Sequence, residues 1–421
     1  MDKLQVAQLL KTNITKTMGC TDIGVVGYIA SIGAYTLRNK QIKSVKLLMS
    51  EELYKNSVNV GVPGLKESGL EKALALGILL KDPKKQLSVF ESVTNDDIEK
   101  IGAILDRIDV EINYQHFDDT VLYEELNITS TEGDEVTIVI KDSYDNVVKV
   151  VRNGNVLEEY ETKQLLKRVN KYKIDSFDDI YDFIEAEDYE GLDYLFDTAA
   201  LQYKNARKEI IREEGHFLVE DLREAQKDCV YDLSNFLRMH ISVPSRLRMA
   251  GEIYTVYGVA GSGNLGIGTL ITPMFLADAL KLSELERQKI ILLSFLTSVY
   301  VKQEMNIVTV LCGTGHATGC SAAAVTTYIK GGTREQVKDS INIYLSSSMG
   351  FVCDGAKLSC THKVSFAAMN GMIAGKMAVE DKNYCDGMGL SKISVDQTIK
   401  NLGKLNNEIL NSANKGIIEL I

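Results

Sequence analysis

"VLYEELNITSTEGDEVTIVIKDSYDNVVKVVRNGNVLEEY", residues 121–160, decides how this chain is organised. Apolar and polar residues alternate along it, and Glu-Gly-Asp, Tyr-Asp-Asn and Asn-Gly-Asn break the alternation at turn spacing, which predicts a run of short antiparallel strands. Just upstream, "KIGAILDRIDVEINYQ" (100–115) reads as a helix running into a strand. Together these predict a small α+β domain over residues 86–160.

The flanks read differently. From Asp2 to about Arg38, apolar residues recur at helical spacing with a break at "TMGCTDIG" (17–24), so two helices and a turn are expected. "SVKLLMSEELYKNSVNVGVPG" (44–64) gives one or two strands and a turn, followed by a helix from about 66 to 80. Beyond the insertion, residues 163–239 are charged and helical, with acidic stretches such as "DSFDDIYDFIEAEDYEGLDYLFD" (175–197) suited to solvated helix faces. From Val243 onward Gly, Ala, Ser and Thr dominate between apolar helical stretches, a composition that lets elements approach closely. The expected fold class is α+β: a mainly helical catalytic domain made from both ends of the chain, 1–85 and 161–421, with residues 86–160 inserted.

The composition narrows the functional classes. A chain of 421 residues, 45% hydrophobic and 25% charged, has apolar material for a large core or two. A net charge of -11 and the lack of a basic stripe argue against nucleic acid as partner, since phosphate binding relies on clustered Lys and Arg. The first residues lack the pattern of a signal peptide, and the longest apolar run, 290–301, is too short to span a bilayer. A cytoplasmic protein with no membrane partner is expected, and homo-oligomerisation is left open. Seven cysteines in a reducing compartment are expected to be thiols, metal ligands or catalytic groups.

Four stretches carry chemistry. Cys20 sits on a turn ahead of a helix, where Thr21 or Asp22 suits the N-cap and the helix dipole would lower the thiol pKa. "VAGSGNLGIGTLITP" (259–273) is a Gly-Ser-Gly-Asn turn whose backbone N–H groups suit a carboxylate or phosphate; it is neither a Walker loop nor a Rossmann fingerprint. "VLCGTGHATGCSAAA" (310–324) offers Cys312, His316 and Cys320, and its glycines predict that Cys312 lies on a loop before a helix. "MGFVCDGAKLSC" (349–360) adds Cys353 and Cys360, and the spacing alone leaves zinc and iron-sulfur both open.

Taken in order, Gly-Cys-Thr at 19–21, "YKN" and "VGVPG" within 54–64, "GSGNLGI" at 261–267, "LCG" at 311–313 and "CDGAKLSC" at 353–360 resemble the L-cysteine desulfidases and the related α chain of iron-sulfur-dependent L-serine dehydratases. The resemblance covers most of the chain outside the insertion. It implies a PLP-independent lyase with an oxygen-sensitive [4Fe-4S] cluster held by Cys312, Cys353 and Cys360, its fourth iron open to a small amino-acid substrate. It also implies a base role for Cys20, and it points to cysteine ahead of serine because the Gly-Cys-Thr region and the insertion occur in one chain. Lys55, Asn56 and Ser262-Gly263-Asn264 are the candidates for holding the substrate's amino and carboxylate groups.

Where the family commonly has Gly-Cys-Thr-Glu-Pro this chain has Asp22 and Ile23, and where the family has Pro and then Cys-Ala-Leu-Lys it has Leu358, Ser359 and "CTHK". Cys229, Cys320 and Cys385 match no family role and are expected to be core thiols; His316 and His362 receive none either. Three rival readings stand beside the desulfidase: a serine dehydratase of the same family, a hydratase acting on a hydroxy acid and differing only in substrate, and a noncatalytic sensor or redox protein that binds zinc or a fully ligated cluster with Cys320 or His316 as fourth ligand.

Overall fold

The computed structural model describes residues 1–38, 40–159, 172–213, 216, 219–220, 233–383 and 387–421, and the elements below are numbered among these. Helix α1 (Lys3–Asn13) starts at Asp2, whose carboxylate accepts a hydrogen bond from the Gln5 N–H at 2.7 Å. The break expected between two helices is a short strand, β1 (Ile14–Met18), paired antiparallel with β8 (Thr255–Val259) from Ile14 opposite Val259 to Met18 opposite Thr255. The chain then enters α2 (Thr21–Thr36), which is buried on every side from Thr21 to Ala34.

Helix α2 lies beneath a six-stranded sheet. Strand β2 (Ile42–Ser50) runs parallel to β3 (Asp109–Gln115) on one side and antiparallel to β4 (Tyr123–Ser130) on the other. From β4 the chain meanders through β5 (Glu135–Lys141), β6 (Val147–Arg152) and β7 (Asn155–Glu159), giving the order β3-β2-β4-β5-β6-β7. Along β4 burial alternates strictly, so Glu124, Leu126, Ile128 and Ser130 face inward. A parallel pair needs a long crossover. Between β2 and β3 it consists of α3 (Glu51–Ser57), α4 (Leu70–Leu80), a kinked 3₁₀ segment at Pro83–Ser92 and α5 (Asn95–Leu105), the last begun by a Thr94–Asp97 capping box.

This corrects the expected boundary. Residues 86–160 are not a separate insertion, because β2, from before them, lies between β3 and β4 in their sheet, and α2 packs against β4 and β5. One hydrophobic core runs from Met18 to Val150 and takes in Met249 and Val308. The change to an alternating pattern marks where the antiparallel meander begins; the lobe's own boundary is the ribbon β1–β8. Of the N-terminal residues only α1 and Ile14 join the other core, with Val6, Leu9 and Leu10. The expected junction at residues 160 and 161, and Cys229 and Cys385, lie outside the described residues.

The second lobe is helical: α6 (Phe177–Glu185), α7 (Asp193–Arg212), α8 (Leu233–Met249), α9 (Gly263–Leu280), α10 (Glu284–Gln303), α11 (Gly313–Ile329), α12 (Arg334–Ser348), α13 (Cys360–Val379), α14 (Val395–Lys404) and α15 (Ala413–Ile418). Helix α6 buries Phe177, Ile180, Phe183 and Ile184 on one stripe and turns its acids outward, as its pattern predicts. Helices α9 and α11 are enclosed over most of their length. A Cβ at Gly371 of α13 would stand 2.3 Å from the Gly319 carbonyl of α11, so these helices touch backbone to backbone and hold their N-termini side by side. Among the described residues no helix is long and apolar enough to cross a membrane.

Candidate active site

The N-termini of α2, α9, α11 and α13 converge where the two lobes meet, around a cavity of about 100 Å³. Four orphaned helix ends directed at one place make it electropositive before any side chain is counted. Cys20, Asp22 and Asn56 enter from the sheet lobe; Arg248, Ser262, Gly263, Asn264, Lys302, Cys312, Cys353, Cys360 and Lys363 enter from the helical lobe.

The three cysteines are brought together by short-range devices. Leu311 and Val352 form an antiparallel bridge, the Cys312 N–H donates to Phe351 O at 2.6 Å, and the Cys353 N–H donates to Val310 O at 2.7 Å. Cys312 is the N-cap of α11, where its sulfur accepts from the Gly315 N–H at 3.4 Å, and so stands just before a helix as expected. From Cys353 the chain turns through Gly355, whose φ of 92° and approach to the Lys55 carbonyl, 2.3 Å from a hypothetical Cβ, admit only glycine. That turn delivers Cys360 to the first position of α13 with its thiol 3.6 Å from Gly355 O. Burial, then Cys353 and Cys360, push the Cys312 thiol up to about 12, and burial raises Cys360.

Among the described residues no three Cys, His, Asp or Glu side chains are placed to share one ion. Sulfurs on a single tetrahedral ion stand about 4 Å apart, given metal–sulfur bonds of about 2.3 Å, whereas each cysteine of a cubane cluster binds its own iron and stands further off. Cys312, Cys353 and Cys360 all line the one cavity, and three thiols are the kind of donor set that an iron-sulfur cluster takes. The fourth ligand required by the sensor reading is missing from both expected positions. Cys320 is wholly buried in the helical core. His316 has each ring nitrogen 2.8 Å from a carbonyl oxygen, Nδ1 from Cys312 and Nε2 from Ser348, and so ties α11 to α12. His362 is exposed and stacks on Phe366.

Opposite the cysteines, Cys20 precedes α2 and donates from Sγ to Asp22 Oδ2 at 3.1 Å. Asp22 Oδ1 accepts from the Tyr144 hydroxyl at 2.9 Å and from Asn56 Nδ2 at 3.4 Å. Burial and the Asp22 charge raise the Cys20 pKa well above its ordinary value despite Arg248 nearby. The expectation of a thiol lowered by the helix dipole is therefore corrected: the dipole is outweighed, and Cys20 is a protonated thiol hydrogen-bonded to a carboxylate.

Three further residues that line the cavity carry no sequence motif. Arg248, only 2% exposed, gives Nη1–H to Asn264 Oδ1 at 2.7 Å and Nη2–H to Gly19 O, while its Nε has no partner among the described residues. Its guanidinium lies flat on the N-terminus of α9: a Cβ at Gly263 would fall 2.4 Å from Cζ. The only sequence signal was an arginine among apolar residues after Pro244 in α8. Lys302, at the end of α10, gives its Nζ–H to Asn306 O at 2.9 Å, and burial lowers it to about 8. Tyr144 comes from the β5–β6 turn that the sequence marked only as a turn.

The substrate-binding candidates divide. Asn56 and Ser262-Gly263-Asn264 line the cavity, with Ser262 Oγ capping Leu265 N–H at 3.2 Å and bonded to Thr314 Oγ1 at 2.9 Å. Lys55 does not face it. It is wholly buried under α3, its Nζ donating to Thr309 O at 3.1 Å and Asn414 Oδ1 at 2.7 Å, with its pKa lowered by burial. Neighbours on a helix point about 100° apart, and here Asn56 faces the cavity while Lys55 is held by Thr309 and Asn414. Asn414 Nδ2 also donates to Glu52 Oε1 at 3.1 Å, and this trio fastens α15 to the sheet lobe.

Residues 84–419 match the serine dehydratase alpha chain family. A UPF0597 protein of Fervidobacterium nodosum is 30% identical over 419 residues, covering 99% of this chain and 96% of the relative. UPF0597 proteins of Caldanaerobacter subterraneus and Thermosipho africanus are 28% and 30% identical, covering 100% and 93% of this chain and 98% and 93% of their own.

Proposed function

The chain belongs to the serine dehydratase alpha chain family, and from that premise we propose that it is an iron-sulfur-dependent β-eliminating lyase acting on L-cysteine, releasing hydrogen sulfide, ammonia and pyruvate. The observation that carries this reading is one inter-lobe cavity shared by three cysteines, an arginine whose Nε has no partner among the described residues, and a thiol–carboxylate pair. Cys312, Cys353 and Cys360 would hold a [4Fe-4S] cluster. With three protein ligands it would offer an open iron as Lewis acid toward the departing sulfur.

The chain's own groups supply the rest. Arg248 and the N–H groups at the start of α9 suit the substrate carboxylate, because guanidinium and helix dipole both favour an anion there. Asn264 and Gly19 O fix the guanidinium in place, so its orientation is set before substrate arrives. The Cα proton passes to the Cys20 sulfur while the thiol proton moves to Asp22 Oδ2, which the Cys20–Asp22 hydrogen bond prepares. Tyr144 and Asn56 donate to the other oxygen of Asp22 and orient it. Electrons from the Cα–H bond form the Cα–Cβ double bond, and the Cβ–S pair leaves with sulfur. The resulting aminoacrylate hydrolyses to pyruvate and ammonia.

The test is anaerobic reconstitution followed by iron and sulfide assay and product analysis on cysteine, serine and threonine side by side. Sulfide and pyruvate from cysteine at the highest kcat/KM support the reading. Preferred turnover of serine moves the substrate to the dehydratase reaction, and a loaded cluster with no elimination from any of the three overturns the lyase.

A further inference from the structure

Two cavities share a wall. Beside the inner cavity lies an outer one of about 380 Å³, whose rim includes the exposed Thr12, Thr15 and Asp145. Thr21, Tyr144, Gly261, Lys302 and Ile307 line both. Tyr144 is buried, and its backbone is braced by the turn that carries it: Asp142 N–H donates to Leu122 O at 2.9 Å, and Asn146 Nδ2 donates to Lys141 O at 2.8 Å. Its hydroxyl is anchored on Asp22 at 2.9 Å. Across the seam, a Cβ at Gly261 would stand 3.4 Å from Tyr144 Cε2 and 3.3 Å from Ile307 Cγ1. The ring from the sheet lobe therefore rests on the glycine turn and Ile307 of the helical lobe.

We propose that Tyr144 is the partition that limits the size of the substrate's β-substituent. The inner cavity has room for a small amino acid such as unsubstituted cysteine. The outer cavity, lined in part by Leu9, Leu87, Val299 and Met305, suits an alkyl group carried on the substrate sulfur, and the Tyr144 ring stands between them. With the ring removed, an S-alkyl cysteine reacts by the same electron flow: the Cα proton goes to the base, the Cα–Cβ double bond forms, and the Cβ–S pair departs on sulfur, which takes a proton and leaves as the alkanethiol. No oxidant or second substrate is needed. The turnover part of this proposal rests on the lyase reading; the partition itself does not.

Two measurements test it. In cluster-free protein, labelling of Cys20 by a small and a bulky maleimide is followed by peptide mass spectrometry. Tyr144→Ala is expected to speed the bulky reagent several-fold relative to the small one, whereas Tyr144→Phe, which keeps the ring and loses the hydroxyl, is expected not to. In reconstituted protein, the ratio of kcat/KM for S-methylcysteine to that for cysteine is expected to rise about tenfold or more in Tyr144→Ala, the discrimination that one methylene commands in a closed pocket, and to stay near wild type in Tyr144→Phe. Ile307→Ala opens the same seam from the other lobe and carries the test should Tyr144→Ala fail to fold. Unchanged labelling and ratio in folded Tyr144→Ala or Ile307→Ala overturn the proposal, as does a Tyr144→Phe change as large as that of Tyr144→Ala. If wild type does not turn over cysteine, the lyase reading falls while the labelling still decides the partition.

Discussion

Gly263→Ala is the smallest change that reaches the chemistry. The new Cβ would stand 2.4 Å from Cζ and Nη2 of Arg248 and 2.7 Å from its Nε, where ordinary contact begins at 3.4 Å. The guanidinium must therefore move by about 1 Å, the difference between 3.4 and 2.4 Å. It has no slack for this, since Nη1 is held by Asn264 at 2.7 Å and Nη2 by Gly19 O. A 1 Å misplacement of a positioning group costs on the order of 10²-fold, so kcat/KM for cysteine should fall by about that factor. The helix itself should not suffer, because alanine is favoured over glycine in helices by about 1 kcal/mol. The assay is steady-state kinetics on anaerobically reconstituted protein, with iron content and melting curve measured on the same sample. The expected result is wild-type iron, a melting curve lowered only by the cost of displacing the guanidinium, and a kcat/KM lower by about 10²-fold. A kcat/KM within a factor of about two of wild type would refute the carboxylate role assigned to Arg248.

Cys20→Ala should keep its iron and lose about 10²-fold or more in turnover, as removal of a general base does, and Asp22→Asn should do the same; iron loss in Cys20→Ala would make Cys20 a fourth ligand and undo the open-iron mechanism. Cys353→Ala should fail to retain a cluster under the reconstitution that loads wild type, shown by iron assay and visible spectrum. Glu124 is wholly buried with neither carboxylate oxygen partnered among the described residues, and burial raises its pKa well above 4.5. The folded state therefore keeps a proton that the unfolded chain gives up above pH 4.5, and stability falls as pH climbs through that window at up to about 1.4 kcal/mol per pH unit. Urea melts at pH 5 and pH 7 should show a smaller fall in Glu124→Leu than in wild type; an equal fall removes Glu124 as the source.

What the sequence made legible was local. The Gly-Ser-Gly-Asn turn at 261–264 does open a helix aimed at the cavity, Cys312 does stand at a helix start, and Cys353 and Cys360 face the same space because a left-handed glycine turn between them is written as Asp-Gly. What stayed hidden was made by distant packing. Arg248 and Tyr144 stand 104 positions apart in number and meet Cys20 only when the lobes dock, and no periodicity announces that. The sheet boundary is hard to read because the parallel partner of β3, strand β2, lies 65 positions earlier in register, with Ser50 opposite Gln115 only after a helical crossover. Cys20 was assigned a lowered pKa from the helix end alone. The Asp22 carboxylate and full burial oppose that dipole, and both depend on the fold.

The ribbon between β1 and β8 sets the order in which this protein must be made. Ile14 waits for Val259, and α1 waits for a core whose other members begin at Ile174. At a synthesis rate of about 5–20 residues per second, that wait lasts on the order of 10 s or more, during which Val6, Leu9 and Leu10 remain exposed on the nascent chain. The sheet lobe, whose residues run from Met18 to Val150 apart from two later contributors, can meanwhile close around α2. The growing chain thus carries a sheet lobe lacking only Met249 and Val308 while the apolar face of α1 is still unpaired, and a chaperone that shields the first turns of α1 would act on that waiting surface.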